Sequence, residues 1–129
     1  MTGVVLDASA LVALLRQEPG WEKVEAMLEG AVISTVNLAE VVGFLARKGA
    51  TEETIRAVLT RVAIERADFD DQLALHAGLL EPRTRAAGLS LGDRACLALA
   101  DRLDLPAITT DRAWAGVAES VGVLVQVIR

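Results

Sequence analysis

The stretch Val4-Val5-Leu6-Asp7-Ala8-Ser9-Ala10-Leu11-Val12-Ala13-Leu14-Leu15 constrains the fold more than any other. An apolar run breaks once, at a carboxylate, and resumes with a different period. Val4 to Leu6 has the character of a short buried strand, and Ala10 to Leu15 that of a buried helix that starts at the Asp-Ala-Ser turn. Asp7 is thereby predicted at the carboxyl end of a first strand, and in an open α/β sheet that edge is where ligands bind.

The rest of the chain keeps alternating. Glu18-Pro19-Gly20 is a turn, and Trp21 to Leu28 reads as a second short helix ending at Gly30, with Trp21 on its packing face. Ala31 to Ser34 is a second strand, followed by a helix from about Thr35 to Lys48 that Gly49 closes. Thr51 caps a helix to about Glu65, Ala67 to Phe69 forms a weak third strand, and Asp70 caps a helix from Asp71 toward Arg85 that Pro82 must kink or end. Ser90 to Leu103 is the clearest helix. Pro106 to Thr110 is a strand running into Asp111, Arg112 to Glu119 is short and irregular or helical, and Val121 to Ile128 carries a last strand. This pattern predicts a single α/β domain over residues 1–129 with a mostly parallel sheet. In such a domain helix N-termini and strand C-termini share one edge.

Composition narrows the function. At 129 residues the chain buries about two thirds of its unfolded surface in one core. An apolar fraction of 53% is high, which an oligomer or an alanine-rich helical core explains equally well. The net charge of −5 argues against a broad basic nucleic-acid surface and leaves binding through metal ions or local arginines. Two Trp, two Phe and no Tyr offer few platforms for stacked bases. The one cysteine, Cys96, lies in an apolar helical run, so it reads as a small core residue of a protein from a reducing compartment. With neither a leader pattern nor an apolar run of about 20 residues, a soluble cytoplasmic protein with no membrane partner is expected.

Four acids are predicted along the shared edge. Asp7 and Asp111 each follow an apolar strand, Glu40 lies in the early turns of the helix after the second strand amid aliphatic neighbours, and Asp93 lies in the first turn of the Ser90 helix. Each also has an ordinary structural reading. Asp7 can cap its helix, Asp93 can close a capping box with Ser90, Asp111 can begin a turn, and Glu40 can pair with Arg47. Together they are harder to explain that way, because two carboxylates ~5 Å apart at an effective dielectric of ~20 repel by about 3 kcal/mol. A divalent cation removes the conflict, and oxygen ligands without His or Cys favour Mg²⁺ or Mn²⁺ over Zn²⁺. The lone His76 is far from these motifs in sequence and reads as a partly packed surface residue. Acid-only metal sites suit phosphodiester hydrolysis. Ser9 and Asn37 are candidate supporting donors, with a plain helix cap the equal alternative for Ser9.

Leu6-Asp7-Ala8-Ser9-Ala10, Ser34 to Glu40, Leu89 to Ala95 and Thr109 to Trp114 resemble, in order and spacing, the four acidic motifs of PIN-domain proteins, and among them the VapC toxins of type II toxin–antitoxin pairs. The resemblance covers essentially the whole chain. It implies a PIN-like three-layer α/β/α sandwich with a parallel five-stranded sheet, Mg²⁺- or Mn²⁺-dependent endoribonuclease activity on RNA, a homodimer, and a VapB-like antitoxin that blocks the site. It carries metal-binding roles onto Asp7, Glu40, Asp93 and Asp111, with Ser9 as a supporting hydroxyl. Arg94 and Arg112 each adjoin a site acid and are candidates for RNA or antitoxin contact, whereas Arg83 and Arg85 read as a solvated charged face.

Two other classes share parts of this pattern. A phosphorylation-driven receiver domain also places acids at strand ends around Mg²⁺, but it wants a lysine near its last strand, and the only lysines here are Lys23 and Lys48. A PIN-like module that binds RNA or protein without cutting is the other, and the intact set of four acids speaks against it.

Overall fold

The computed structural model describes residues 3–129, so the first two residues of the predicted 1–129 domain lie outside the described residues. Five strands, β1 (Val4–Leu6), β2 (Ala31–Ser34), β3 (Glu65–Ala67), β4 (Ala107–Thr109) and β5 (Val125–Val127), pair in the order β3-β2-β1-β4-β5. Every pairing is parallel. The chain runs outward from β1 through β2 to β3, then returns to the other side of β1 for β4 and β5. The reversal falls between β1 and β4, where Leu6 pairs with Ile108, and the crevice past the carboxyl ends of two such strands is the usual ligand position.

Strand periodicity assigns the two faces. Val5, Val32 and Ala107 face one core with α5 (Asp71–Leu79) and α7 (Leu91–Leu103), whose buried residues include Leu73, Ala77, Leu97 and Leu99. Leu6, Ile33 and Ile108 face the other side, against α1 (Ala8–Arg16), α2 (Trp21–Ala26) and α3 (Thr35–Arg47), through Ala10, Leu11, Val24 and Val41. The result is a three-layer α/β/α sandwich. α4 (Glu52–Arg61) packs on α3 and leads to the edge strand β3, which explains the exposure of Glu65 and Arg66.

Helix starts follow the local chemistry. Asp7 caps α1, Ser34 caps α3, Thr51 caps α4, and Ser90 with Asp93 forms a reciprocal capping box on α7. Asp70 caps α5 and also takes a two-pronged contact from Arg102 of α7 at 2.9 Å, which holds its carboxyl at about 2, below the usual carboxylate range.

The structure moves several sequence-based boundaries. The predicted helix from Asp71 toward Arg85 breaks at Leu80, because Pro82 cannot donate in mid-helix and instead occupies the first turn of α6 (Glu81–Thr84), followed by a 3₁₀ turn over Arg85–Ala87. The third strand lies two residues earlier than expected. The last strand is confined to Val125–Val127, since Val121 ends α8 (Ala118–Val121) and Gly122, at φ 71°, turns the chain in a conformation that favours glycine.

Candidate active site

Asp7 emerges from β1 beside β4, where its backbone N–H donates to the Ile108 carbonyl at 3.0 Å. The side chain is 4% exposed and receives hydrogen bonds from the Ala10 N–H at 2.8 Å, the Ser9 hydroxyl at 2.7 Å and the Thr109 hydroxyl at 2.5 Å. Burial nonetheless pushes its carboxyl up to about 6, against the pull of those donors, and the nearby charge of Asp93 adds to the rise. Ser9 is therefore not the cap of α1. It orients Asp7 and accepts the Thr110 N–H at 3.0 Å, so it ties the first motif to the fourth.

Asp93 is half-buried in the first turn of α7. Burial raises its carboxyl and the charge of Asp111 raises it further, although the Ser90 capping box favours ionisation. Asp111 is exposed and caps the 3₁₀ turn Arg112–Gly116, accepting the Ala113 N–H at 2.9 Å. Glu40 is exposed and not set into an apolar surface, and it pairs with Asn37, the candidate supporting donor, at 2.9 Å and not with Arg47. Asn37 is 1% exposed, and its amide donates to the Glu40 carboxylate and to the Gly92 carbonyl at 2.9 Å. The Asn37 Oδ1 meets no donor among the described residues. One buried amide thus joins the second motif to the third.

The thiol of Cys96 lies beneath this edge. It is fully buried, and its ionisation is suppressed first by burial and then by Asp7, Asp93 and Glu40, which places all three acids within electrostatic reach of one point. A thiol so suppressed is a core group and not a nucleophile. Among the described residues, no three His, Cys, Asp or Glu side chains are already drawn into a closed ligand cage. What the fold supplies is an oxygen-only set on one edge, with two carboxyls whose charging is penalised. That donor chemistry fits a hard divalent cation.

A PIN-domain family model matches residues 4–120. The chain belongs to the PIN-domain family. The PIN fold is likewise shared with solved structures: a DNA-bound VapBC from Salmonella typhimurium superposes with a TM-score of 0.76 at 18% identity over 100% of both chains. A toxin–antitoxin complex from Klebsiella pneumoniae gives 0.74 at 23% identity over 98% of each. A VapBC-5 structure from Mycobacterium tuberculosis gives 0.64 at 28% identity over 100% of this chain and 99% of the other. No curated protein sequence matches the chain.

Within this PIN domain two site residues escaped the sequence reading. Thr109 looked like a strand residue, yet its hydroxyl donates to Asp7 and accepts the Asp111 N–H at 3.1 Å. Gly92 looked like a helix residue, yet a Cβ there would overlap the Glu40 carboxylate, whose carbon would lie 2.6 Å away. The only sequence signal for either was its place inside an acidic motif.

The arginines divide. Arg94 is half-buried, and two of its guanidinium nitrogens donate to the Ala77 and Leu89 carbonyls, at 3.2 and 3.4 Å, and so clamp α5 to the start of α7. Arg112 is exposed beside Asp111. Arg85 sits with Glu81 at 3.8 Å and Arg83 near the Ser120 carbonyl, as a solvated charged face would. His76 is half-buried and contacts Asp101 at 3.3 Å. No helix among the described residues is long and apolar enough to cross a membrane.

Proposed function

We propose that this PIN domain is a VapC-type toxin, a divalent-metal-dependent endoribonuclease held silent by a VapB-like antitoxin. The observation that carries the reading is the arrival of Asp7, Glu40, Asp93 and Asp111 at one sheet edge, with Asp7 and Asp93 both penalised for ionising there. Those four acids would hold Mg²⁺ or Mn²⁺, which when bound activates water and offsets charge on a phosphodiester. Ser9 and Thr109 orient Asp7, Asn37 orients Glu40, and Arg112 stands where it can meet a phosphate. The VapBC structures among the matches support an antitoxin partner. Leu75 and Leu79, each 66% exposed on α5, support burial of that face in an assembly, for which a homodimer is the expected form.

The test is cleavage of a panel of structured RNAs, tRNAs included, with Mg²⁺, with Mn²⁺ and with EDTA. Cutting that needs the metal bears the reading out, and no cutting by folded, partner-free protein replaces it with a non-catalytic binding module. Overexpression without a partner is expected to arrest growth with RNA fragments appearing first. Harmless expression at high level would remove the toxin assignment.

Gly92→Ala separates site geometry from stability. Alanine is favoured over glycine inside a helix by about 1 kcal/mol, but its Cβ meets the Glu40 carboxylate and must displace it. Cleavage is expected to fall about tenfold to a hundredfold with no loss of melting temperature. Full activity in that variant would show that the position of Glu40 is not critical.

A further inference from the structure

Three cations gather round one aromatic ring beside the acidic edge. The guanidinium carbons of Arg16 and Arg47 each lie 5.4 Å from the centre of the Phe44 ring, and the Lys48 ammonium lies 5.6 Å from it. Phe44 and Arg47 line the same cavity of about 340 Å³ as Ser9, Glu40 and Thr110. The cluster is therefore continuous with the site.

Its charge is incompletely compensated. Arg16 approaches Glu18 at 3.6 Å, but Glu18 is also held by Arg129 at 2.9 Å. Among the described residues no carboxylate lies within ion-pairing distance of Arg47 or Lys48. Ends of α1 and α3 attract positive charge to their last turns, which accounts for single cations there and not for three converging on one ring. In a chain of net charge −5, with only two lysines, three cations around one ring are a local excess of positive charge beside the acids.

We propose that Arg16, Arg47 and Lys48, organised by Phe44, form a phosphate-binding rim that holds the RNA backbone flanking the bond to be cut. The inference rests on the nuclease reading and names how its substrate is held. Along α3, Arg47 lies about 10 Å from Glu40, far enough to meet the backbone beside the bond to be cut and not the bond itself. Uniformly anionic RNA with cations along its flank suits this layout.

The experiment measures binding of a fluorescein-labelled, mixed-sequence 15-nucleotide single-stranded RNA in EDTA, where cleavage plays no part. The Arg16→Gln/Arg47→Gln/Lys48→Gln variant is compared with wild type and with Lys23→Gln/Arg56→Gln/Arg61→Gln, which removes the same charge elsewhere. The rim variant is expected to bind about ten- to a hundredfold more weakly, and its slope of log affinity against log salt should flatten by about 2, while the control keeps the wild-type slope. In Mg²⁺ the loss should appear mainly in KM. Phe44→Leu keeps the charges and should weaken binding less, with the slope retained.

Equal losses in both triple variants, or an unchanged slope in the rim variant, overturn the proposal. So does a rim variant that loses a VapB-like antitoxin while binding RNA as wild type does, which would assign the rim to the protein partner. Wild type that cuts RNA with a KM the rim variant shares removes the rim alone. Wild type that neither binds nor cuts RNA removes the nuclease reading itself.

Discussion

Asp7→Asn is expected to abolish metal-dependent cleavage while making the metal-free protein more stable at neutral pH. The two effects have one cause. Raising the Asp7 carboxyl from 3.8 to about 6 means that charging it in the folded state is opposed by about 3 kcal/mol. The folded protein therefore binds a proton that the unfolded chain has released. Stability from this group is fully present below pH 4 and is lost as the pH rises through about 6.

Asparagine carries no charge to desolvate. Its amide can still accept from Ser9 and from the Ala10 N–H, and it can donate to the Thr109 hydroxyl. After allowance for imperfect bonds, a gain of about 1–2 kcal/mol at pH 7 is expected, together with a flatter stability profile between pH 4 and 6. Urea unfolding across that range measures both. Mg²⁺ or Mn²⁺ should stabilise wild type at pH 7 and leave the variant nearly unmoved, which tests the metal site without any RNA. A variant less stable than wild type and still responsive to metal would place the ion elsewhere.

Trp114→Ala should cost about 3–5 kcal/mol, enough to lower the melting temperature by roughly 10–20 °C in a domain of this size. Trp114 is fully buried among Val117, Val121 and Val123, and it anchors the 3₁₀ turn whose first cap is Asp111. Losing the ring removes packing and frees the segment that carries an acid to the site. Trp114→Phe makes the comparison informative, because the indole N–H finds no acceptor among the described residues. Removing an unpaired buried donor recovers part of what the smaller ring gives up, so a cost below about 1.5 kcal/mol is expected. Thermal unfolding of the two variants decides it. A phenylalanine variant as damaged as the alanine one would show that the shape of the indole, and not only apolar volume, holds the turn.

The site was legible in the sequence to the extent that its residues sit at element boundaries. Asp7 after β1, Asp93 in the first turn of α7 and Asp111 after β4 are visible because apolar periodicity locates those boundaries and parallel topology puts them on one edge. The aliphatic neighbours of Glu40 suggest an acid in an apolar surface, but of those flanking it only Val41 is fully buried, and the carboxylate stays exposed with Asn37. Adjacency to Asp93 in sequence does not fix where Arg94 points, because successive residues on a helix lie about 100° apart, and its guanidinium lies against α5.

Sequence by itself determined the alternation of strands and helices, the caps that start the long helices, and which acids stand at strand or helix ends. Each is a local matter of periodicity, side-chain hydrogen bonding and backbone freedom. Tertiary structure alone decided that β1 neighbours β4, which lets Thr109 reach Asp7 across about a hundred residues, and that Glu40 passes over Gly92. It also decided that Arg16 and Arg47, on separate helices, share one ring. Such contacts depend on distances between segments far apart in the chain, and no local pattern encodes them until the sheet brings the segments together.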